Sequence, residues 1–274
     1  MARLPHRGAQ RGRRDQGFAL LIVLWAIVLL SLLFTHLVSA GRSEAEIASN
    51  LRAAAKLQAQ ADGLIYSIIF GLLGGPGGPW QANGRMHKIR ISSETAAVSI
   101  DNLAGRINPN TASPALLEAL LHDCGADAVT ARKLSQAIVD WRSPNAQGAF
   151  EAPRYVAAGL PYSPAESPFQ SIGELSLVFG MTPKLLARIA PHLSVYTEDN
   201  PDFLYADSTV RAALRDAGMA AVVPHTPKPP RTVSINVAIR APNGAEASRH
   251  ADVELNSSQA ASGFAILTWT NKAE

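Results

Sequence analysis

Between Phe18 and Val38 the chain reads FALLIVLWAIVLLSLLFTHLV, twenty-one consecutive positions without a formal charge. A helix rising about 1.5 Å per residue over such a run crosses a hydrocarbon core about 30 Å thick. From Ser43 to Phe70 strong helix formers continue, with no turn signal between. Ile47, Leu51, Ala54 and Ala55, Gln58, Ala61 or Asp62, Ile65 and Ile69 recur at helical spacing, so the pattern predicts one rod over 18–70 with Gly41 as its weak point. Gly74-Gly75-Pro76-Gly77-Gly78-Pro79 ends it.

Alternation at period two replaces the helical pattern over His87–Ser92 and Ala96–Asp101. Ile89 and Ile91, then Val98 and Ile100, share one side, which predicts a hairpin with its loop at Ser93–Thr95. At Gly105 the pattern turns helical for about ninety residues. Ser113 caps a helix opened by Pro114 and lined by Leu116, Leu117, Leu120 and Leu121. A second helix is predicted over 126–141 with Val129, Leu134, Ile138 and Trp141 inward. Ser171-Ile172-Gly173-Glu174 starts another, burying Leu175, Val178 and Phe179. Thr182-Pro183 starts the last, burying Leu185, Leu186, Ile189 and Leu193. After the proline-rich stretch Pro224–Pro230, Val233, Ile235, Val237 and Ile239 alternate with small and polar residues. Pro242-Asn243-Gly244 turns the chain, and Ala247–Leu255 and Phe264–Trp269 supply two further strands. Two early and three late strands around a helical block read as one interrupted sheet, in the α+β class.

Composition sharpens this outline. Ahead of the apolar run stand Arg3, Arg7, Arg11, Arg13 and Arg14 against Asp15, so +4 of the chain's net +3 sits in the first seventeen residues and the remainder is near −1. Basic residues in that place hold an amino terminus on the cytoplasmic side. A nearly neutral body gives no footprint for nucleic acid or another polyanion. A secretory signal cut at Val38-Ser39-Ala40 is the alternative, but the apolar run exceeds the usual signal core of about 7–15 residues. Cys124 is the only cysteine, so no internal disulfide forms, and its helical context predicts a buried apolar filler. The seven histidines are scattered without a spaced second ligand or nucleophile, and no catalytic set emerges. The acidic stretch Asp199–Asp202 reads as solvated charge.

The basic leader, Gly17, Phe18 and the long apolar helix together resemble the class III signal of type IV pilins and type II secretion pseudopilins. That resemblance implies cleavage by a prepilin peptidase between Gly17 and Phe18, and N-methylation of Phe18. Most members carry glutamate at the fifth mature position, where this chain has Ile22. The glutamate neutralises the terminal ammonium of the subunit ahead, and a lone carboxylate in lipid is costly, so a subunit that enters first has no use for it. Its lack is a feature of the K-type minor pseudopilin (general secretion pathway protein K), the large member placed at the pseudopilus tip. Ile107-Asn108-Pro109-Asn110-Thr111-Ala112, Ala137-Ile138-Val139-Asp140-Trp141-Arg142 and Phe169-Gln170-Ser171-Ile172-Gly173-Glu174-Leu175 through Pro191-His192-Leu193 are similar to the same family.

What the family implies is a pilin-like fold, its stalk helix packed on an antiparallel sheet interrupted by a large all-helical insertion. The implied parts are a leader over 1–17, a transmembrane and stalk helix over 18–70 and a first sheet portion over 71–106. An inserted helix-hairpin-helix or SAM-like domain over 107–200, a short helix with connector over 201–230 and closing strands over 231–274 follow. The implied setting is the bacterial inner membrane, crossed once, with the body in the periplasm. Implied partners are the I- and J-type minor pseudopilins, the prepilin peptidase and the inner-membrane secretion platform, with no enzymatic role and no nucleic acid.

Family members also carry calcium near an Asp-Trp-x-Asp-x-Asp stretch, where clustered carboxylates suit a hard cation. Here Asp140-Trp141-Arg142-Ser143-Pro144-Asn145 keeps only the first acid. Asp140, Asn145 and Glu151 would be the remaining ligands, and the expectation is a weak or lost Ca2+ site with no other cofactor. A rival resemblance is to membrane-anchored DNA-uptake receptors, whose helix-hairpin-helix repeats grip phosphate with backbone amides at glycine-rich turns. Against it, the turns at 122–127 and 179–182 lack paired glycines, and residues 107–150 sum to −1.

Overall fold

The computed structural model describes residues 12–74, 78–144, 152–197, 200–219, 229–256 and 262–271, without the side chains of 12–17, 36–45 and 152. The chain divides into two compact units, Met1–Lys56 and Leu57–Glu274.

The first unit is helical. Helix α1 starts at Gly12 and extends to Leu73 in the second unit. Within the first unit, Phe18–Thr35 is exposed at every position, and Ile47 and Leu51 are 56% and 66% exposed. Ile47, Leu51, Ala54 and Ala55, which share the helical spacing, are all exposed. Burial begins at Leu57 and follows Ala61, Leu64, Ile65, Ile68 and Ile69, a stripe at 3.6-residue spacing. This stripe packs on the sheet within the second unit.

The sheet has five antiparallel strands in the order β1 (His87–Ile91), β2 (Glu94–Asn102), β3 (Thr232–Arg240), β4 (Glu246–Leu255) and β5 (Phe264–Thr270). Its central pairs stack apolar residue on apolar residue. Val98 faces Val237, Ile100 faces Ile235, and Val233 faces Val253. These and the α1 stripe form one buried cluster. The β1–β2 turn is tighter than expected. Ile91 pairs with Glu94, Ser92 takes φ 56°, and Thr95 pairs with Arg90 in the ladder instead of lying in a loop. A bulge interrupts β4–β5, since Val253 opposes Ile266 while Asp252 opposes Thr268. Leu267 is the extra residue, and the shift lets both Phe264 and Trp269 turn toward Tyr66 of α1, at 6.5 and 5.6 Å between ring centres.

Charged residues also lie beneath the helix; Glu94 of β2, 4% exposed, accepts from Gln60 at 3.5 Å. Arg249 on β4 is 8% exposed and grips Asp62 of α1 with both ends of its fork, Nη2 to Oδ2 at 3.1 Å, while its guanidinium lies 5.4 Å from the Trp269 ring centre. Asn271 accepts from Arg249 and from Gln58, at 3.1 Å from the latter. So Ala61 is the buried residue of the Ala61/Asp62 pair, and Asp62 is the ion-paired one.

Between β2 and β3 the chain forms α2 (Pro114–Asp123), α3 (Ala128–Arg142), α4 (Ala152–Ala157), α5 (Pro183–Ile189) and α6 (Ser208–Asp216), with 3-10 turns at 103–105, 172–177 and 190–192. A second buried cluster belongs to these elements. Leu116, Leu117, Leu120 and Leu121 line α2, and Leu134, Ile138 and Trp141 line α3. Val129 departs from the expectation. It is 62% exposed, because Asp127 caps α3 and turns Ala131 and Leu134 inward instead. Phe179 is half-buried, and Ser171 opens a 3-10 turn without capping a backbone amide, its hydroxyl meeting Glu174 at 3.4 Å. Cys124 is buried at the end of α2. Helix α6, beyond residue 200, buries Val210, Ala213 and Leu214 in the same cluster.

Candidate functional site

Two regions bear on function, the exposed apolar segment of α1 and the polar framework that holds the helices between β2 and β3. Phe18–Thr35 is long and apolar enough to cross a membrane and buries none of its residues within the protein. Phe18 is 68% and Ile22 56% exposed. Thr35 satisfies its hydroxyl on the Ser31 carbonyl at 2.8 Å, the local solution for a polar group in apolar surroundings. Such a continuous apolar surface needs lipid or other apolar helices to cover it. Gly17 lies within α1 and directly precedes this segment.

The framework begins at Ile107–Ala112, the segment whose asparagines carry the resemblance. Each asparagine ties two distant parts of the chain together. Asn108 accepts from the Asn110 amide at 2.8 Å and donates to the carbonyls of Val195, at 3.4 Å, and Thr197. Asn110 accepts from the Phe169 amide at 2.7 Å and donates to its carbonyl at 2.9 Å, a reciprocal pair that mimics a strand bond. Arg142, at the end of α3, donates to the carbonyls of Pro109 and, at 2.8 Å, Ala112. Only side chains carrying both a donor and an acceptor satisfy an amide and a carbonyl at once, which asparagine does. Ile107 adds a parallel bridge to Leu193. Gly105 is needed for close approach, since a Cβ there would lie 2.3 Å from the Tyr205 backbone.

Aromatic packing fills the other side. Phe169 stacks on Trp141 at 6.1 Å between centres, and Tyr155, fully buried, meets Trp141, Tyr162 and Phe179 within 6.1 Å. The Phe179 amide donates to the Tyr155 hydroxyl at 3.0 Å. Burial raises the Tyr155 phenol; the Phe179 bond opposes this, and Tyr162 and Asp140 add to it.

At the far end of the helical elements His192 Nδ1 sits 2.7 Å from Asp207, which also caps α6 by accepting from Thr209 and Val210 at 2.8 and 3.0 Å. The Asp207 bond, helped by Cys124, pushes His192 up to about 9. Burial pulls Asp207 upward, but His192 and the α6 amides outweigh it and leave the carboxyl below its ordinary value.

Of the expected cation ligands, Asp140 stands in α3, half-buried near Tyr155, while Asn145 and Glu151 lie outside the described residues. No group of three His, Cys, Asp or Glu side chains among the described residues could hold a metal ion. Gly125 takes φ 95° against the Arg188 guanidinium, which donates to the Cys124 carbonyl at 3.2 Å. Asn108, Asn110, Arg142, Gly105 and Arg249 were not singled out as sites by their local pattern, although the asparagines and Arg142 lie in segments that carry the resemblance.

Residues 96–198 match the family described as type II secretion system, protein K. The match begins in β2 and takes in the asparagine framework, α2 to α5 and the aromatic cluster. Among solved structures, the crystal structure of the GspK-GspI-GspJ complex from the enterotoxigenic Escherichia coli type 2 secretion system contains a chain similar in fold, with TM-score 0.58 and 17% identity, covering 85% of this chain and 99% of that one. No curated protein matches.

Proposed function

We propose that this chain, whose residues 96–198 match the type II secretion system protein K family, works as the minor pseudopilin at the tip of the pseudopilus, a structural subunit that initiates and caps assembly for protein export. The observation that carries the reading is the family match over 96–198 in a chain whose α1 also bears the membrane-length apolar segment Phe18–Thr35. The apolar segment anchors the subunit in the inner membrane, and the body works in the periplasm. Prepilin peptidase removes residues 1–17 and Phe18 becomes the methylated terminus. Ile22, lacking a carboxylate, suits a subunit with no predecessor to neutralise.

The remainder of the reading concerns shape and partners. The helices between β2 and β3 act as an insertion whose bulk blocks addition of a further subunit above this one. I- and J-type minor pseudopilins are the neighbours, as in the solved complex with similar fold, and the inner-membrane platform extracts the assembly. Co-expression with a prepilin peptidase tests the first step. The expected mature chain begins at N-methylated Phe18, and Gly17→Lys abolishes both cleavage and secretion. A mature chain that begins at Gly41, or secretion undisturbed by Gly17→Lys, rejects the reading.

A further inference from the structure

Strand β4 carries a charge where its pattern calls for an apolar residue. Arg249, Ala251, Val253 and Leu255 alternate on the face that meets α1, and all four are buried. Arg249 stands opposite Val237 of β3. Its guanidinium grips Asp62 of α1 and donates to Asn271, just past β5, which also accepts from Gln58, one turn before Asp62. A buried ion pair adds little net stability over apolar residues of the same volume, but its geometry is directional. A polar group in an apolar seam can therefore select one register where volume alone accepts two.

The apolar stripe of α1 is nearly the same after a shift of one turn. Moved along the sheet by four residues, about 6 Å, it puts Ile68 in the place of Leu64, Ile69 in that of Ile65, Leu72 in that of Ile68 and Leu73 in that of Ile69. Each exchange keeps the size of the side chain, and cores tolerate such exchanges. Volume resists only at the start of the stripe, where Ile65 would crowd the place of Ala61 and Ala61 would underfill that of Leu57. A shift the other way would carry Gln60 into the buried place of Leu64. The polar ties separate the two registers sharply. After the shift Tyr66 stands where Asp62 was and Leu64 where Gln60 was, so Arg249 meets a phenol in place of a carboxylate and Glu94 loses Gln60. We infer that Arg249, through its grip on Asp62, fixes the register of α1 on the sheet. It is a positioning residue: apolar volume holds the helix down, and the ion pair decides which turn lies over β4. The consequence for assembly rests on the pseudopilin reading. There α1 is the part by which the subunit is extracted, and a body in mixed register presents its surfaces to sister subunits out of line.

The test uses the detergent-solubilised full chain with photoreactive benzoylphenylalanine in place of Phe70. Phe70 meets Phe264 at 6.0 Å between ring centres, whereas Tyr66, one turn earlier, lies 5.6 Å from Trp269. An adduct within one chain at Phe264 therefore reports the register described, and one at Trp269 the register shifted by a turn. The otherwise unaltered chain is expected to label Phe264. Arg249→Met is expected to raise the Trp269 share at least about fivefold while the melting transition stays cooperative, a combination that lost packing alone would not give. Arg240→Met, which removes an exposed pair with Glu246, leaves the share as it was. A rise of no more than about twofold with Arg249→Met, or an equal rise with Arg240→Met, overturns the proposal, as do equal shares in the unaltered chain. Should Arg249→Met not melt cooperatively, the double variant Asp62→Leu with Arg249→Met, which leaves neither charge of the pair, takes its place under the same limits. Protein export by cells carrying Arg249→Met tests the consequence separately, and its loss is expected. Undisturbed export beside a shifted adduct keeps the register inference and strikes the pseudopilin reading on which the consequence rests.

Discussion

The two buried clusters of the body are held in different ways. Under α1, the sheet satisfies its own backbone through the ladder, and the helix adds an apolar stripe with Arg249–Asp62 as its single deep ion pair among the described residues. Among the helices between β2 and β3, the elements are short, from six to fifteen residues, and cannot close their ends alone. There, caps from Ser113, Asp127, Thr182 and Asp207, and the cross-ties of Asn108, Asn110 and Arg142, supply the missing partners. The lesson is that sheet–helix packing is specified by apolar volume, whereas a cluster of short helices depends on a few polar side chains reaching far along the chain. The asparagine segment lies inside the matched region 96–198.

Four substitutions probe this contrast, each read by denaturant unfolding of the detergent-solubilised chain. Ile65→Ala, at a fully buried position of the α1 stripe, is expected to cost about 4 kcal/mol, while Ile47→Ala, on the exposed part of the same helix, costs almost nothing. Equal effects would show that the stripe does not end where the sheet does. Arg249→Ala leaves Asp62 without its partner beneath the helix and is expected to cost about 3 kcal/mol, and Arg249→Met appreciably less, since apolar volume is restored. Should Met be as damaging as Ala, charge and not volume governs the sheet half, and the contrast dissolves.

Asn108→Ala is expected to cost about 2 kcal/mol, with faster amide exchange at the end of the chain segment 193–197, because two carbonyls lose their donor. Asn108→Asp, which keeps the acceptor and loses the donor, should be nearly as harmful. The smallest effect is electrostatic. His192 is raised from 6.5 to about 9, so its contribution is complete below about pH 6.5 and fades as pH climbs through about 9. Allowing for screening at a half-exposed pair, the loss is about 1 kcal/mol between pH 6 and 10, and His192→Gln removes the pH dependence. A slope that survives that substitution would assign it to another group.

Much of the architecture was legible because the signals are local. Strands β3 to β5 follow from alternation and the Pro242-Asn243-Gly244 turn, and α2 and α5 from Ser113-Pro114 and Thr182-Pro183. The membrane-length segment and the Gly17-Phe18 junction are equally plain, being runs of composition and not contacts. Errors fell where a face depends on what lies opposite. Val129, expected inward, sits on the outer side because the Asp127 cap sets the rotation of α3. Glycine 105 shows no sign in its neighbours that the Tyr205 backbone comes within reach of its α-carbon.

By itself, the order of residues determined where the chain is helical or extended and which segment is long and apolar enough for a bilayer, since periodicity and runs of composition need no partner to exist. Tertiary structure alone decided that Asn110 would meet Phe169, that Arg249 would lie under Asp62, and that β2 would pair with β3 across the helices between them. Those outcomes are choices among distant partners of equal chemistry, and only the packed chain brings the chosen ones within hydrogen-bond reach.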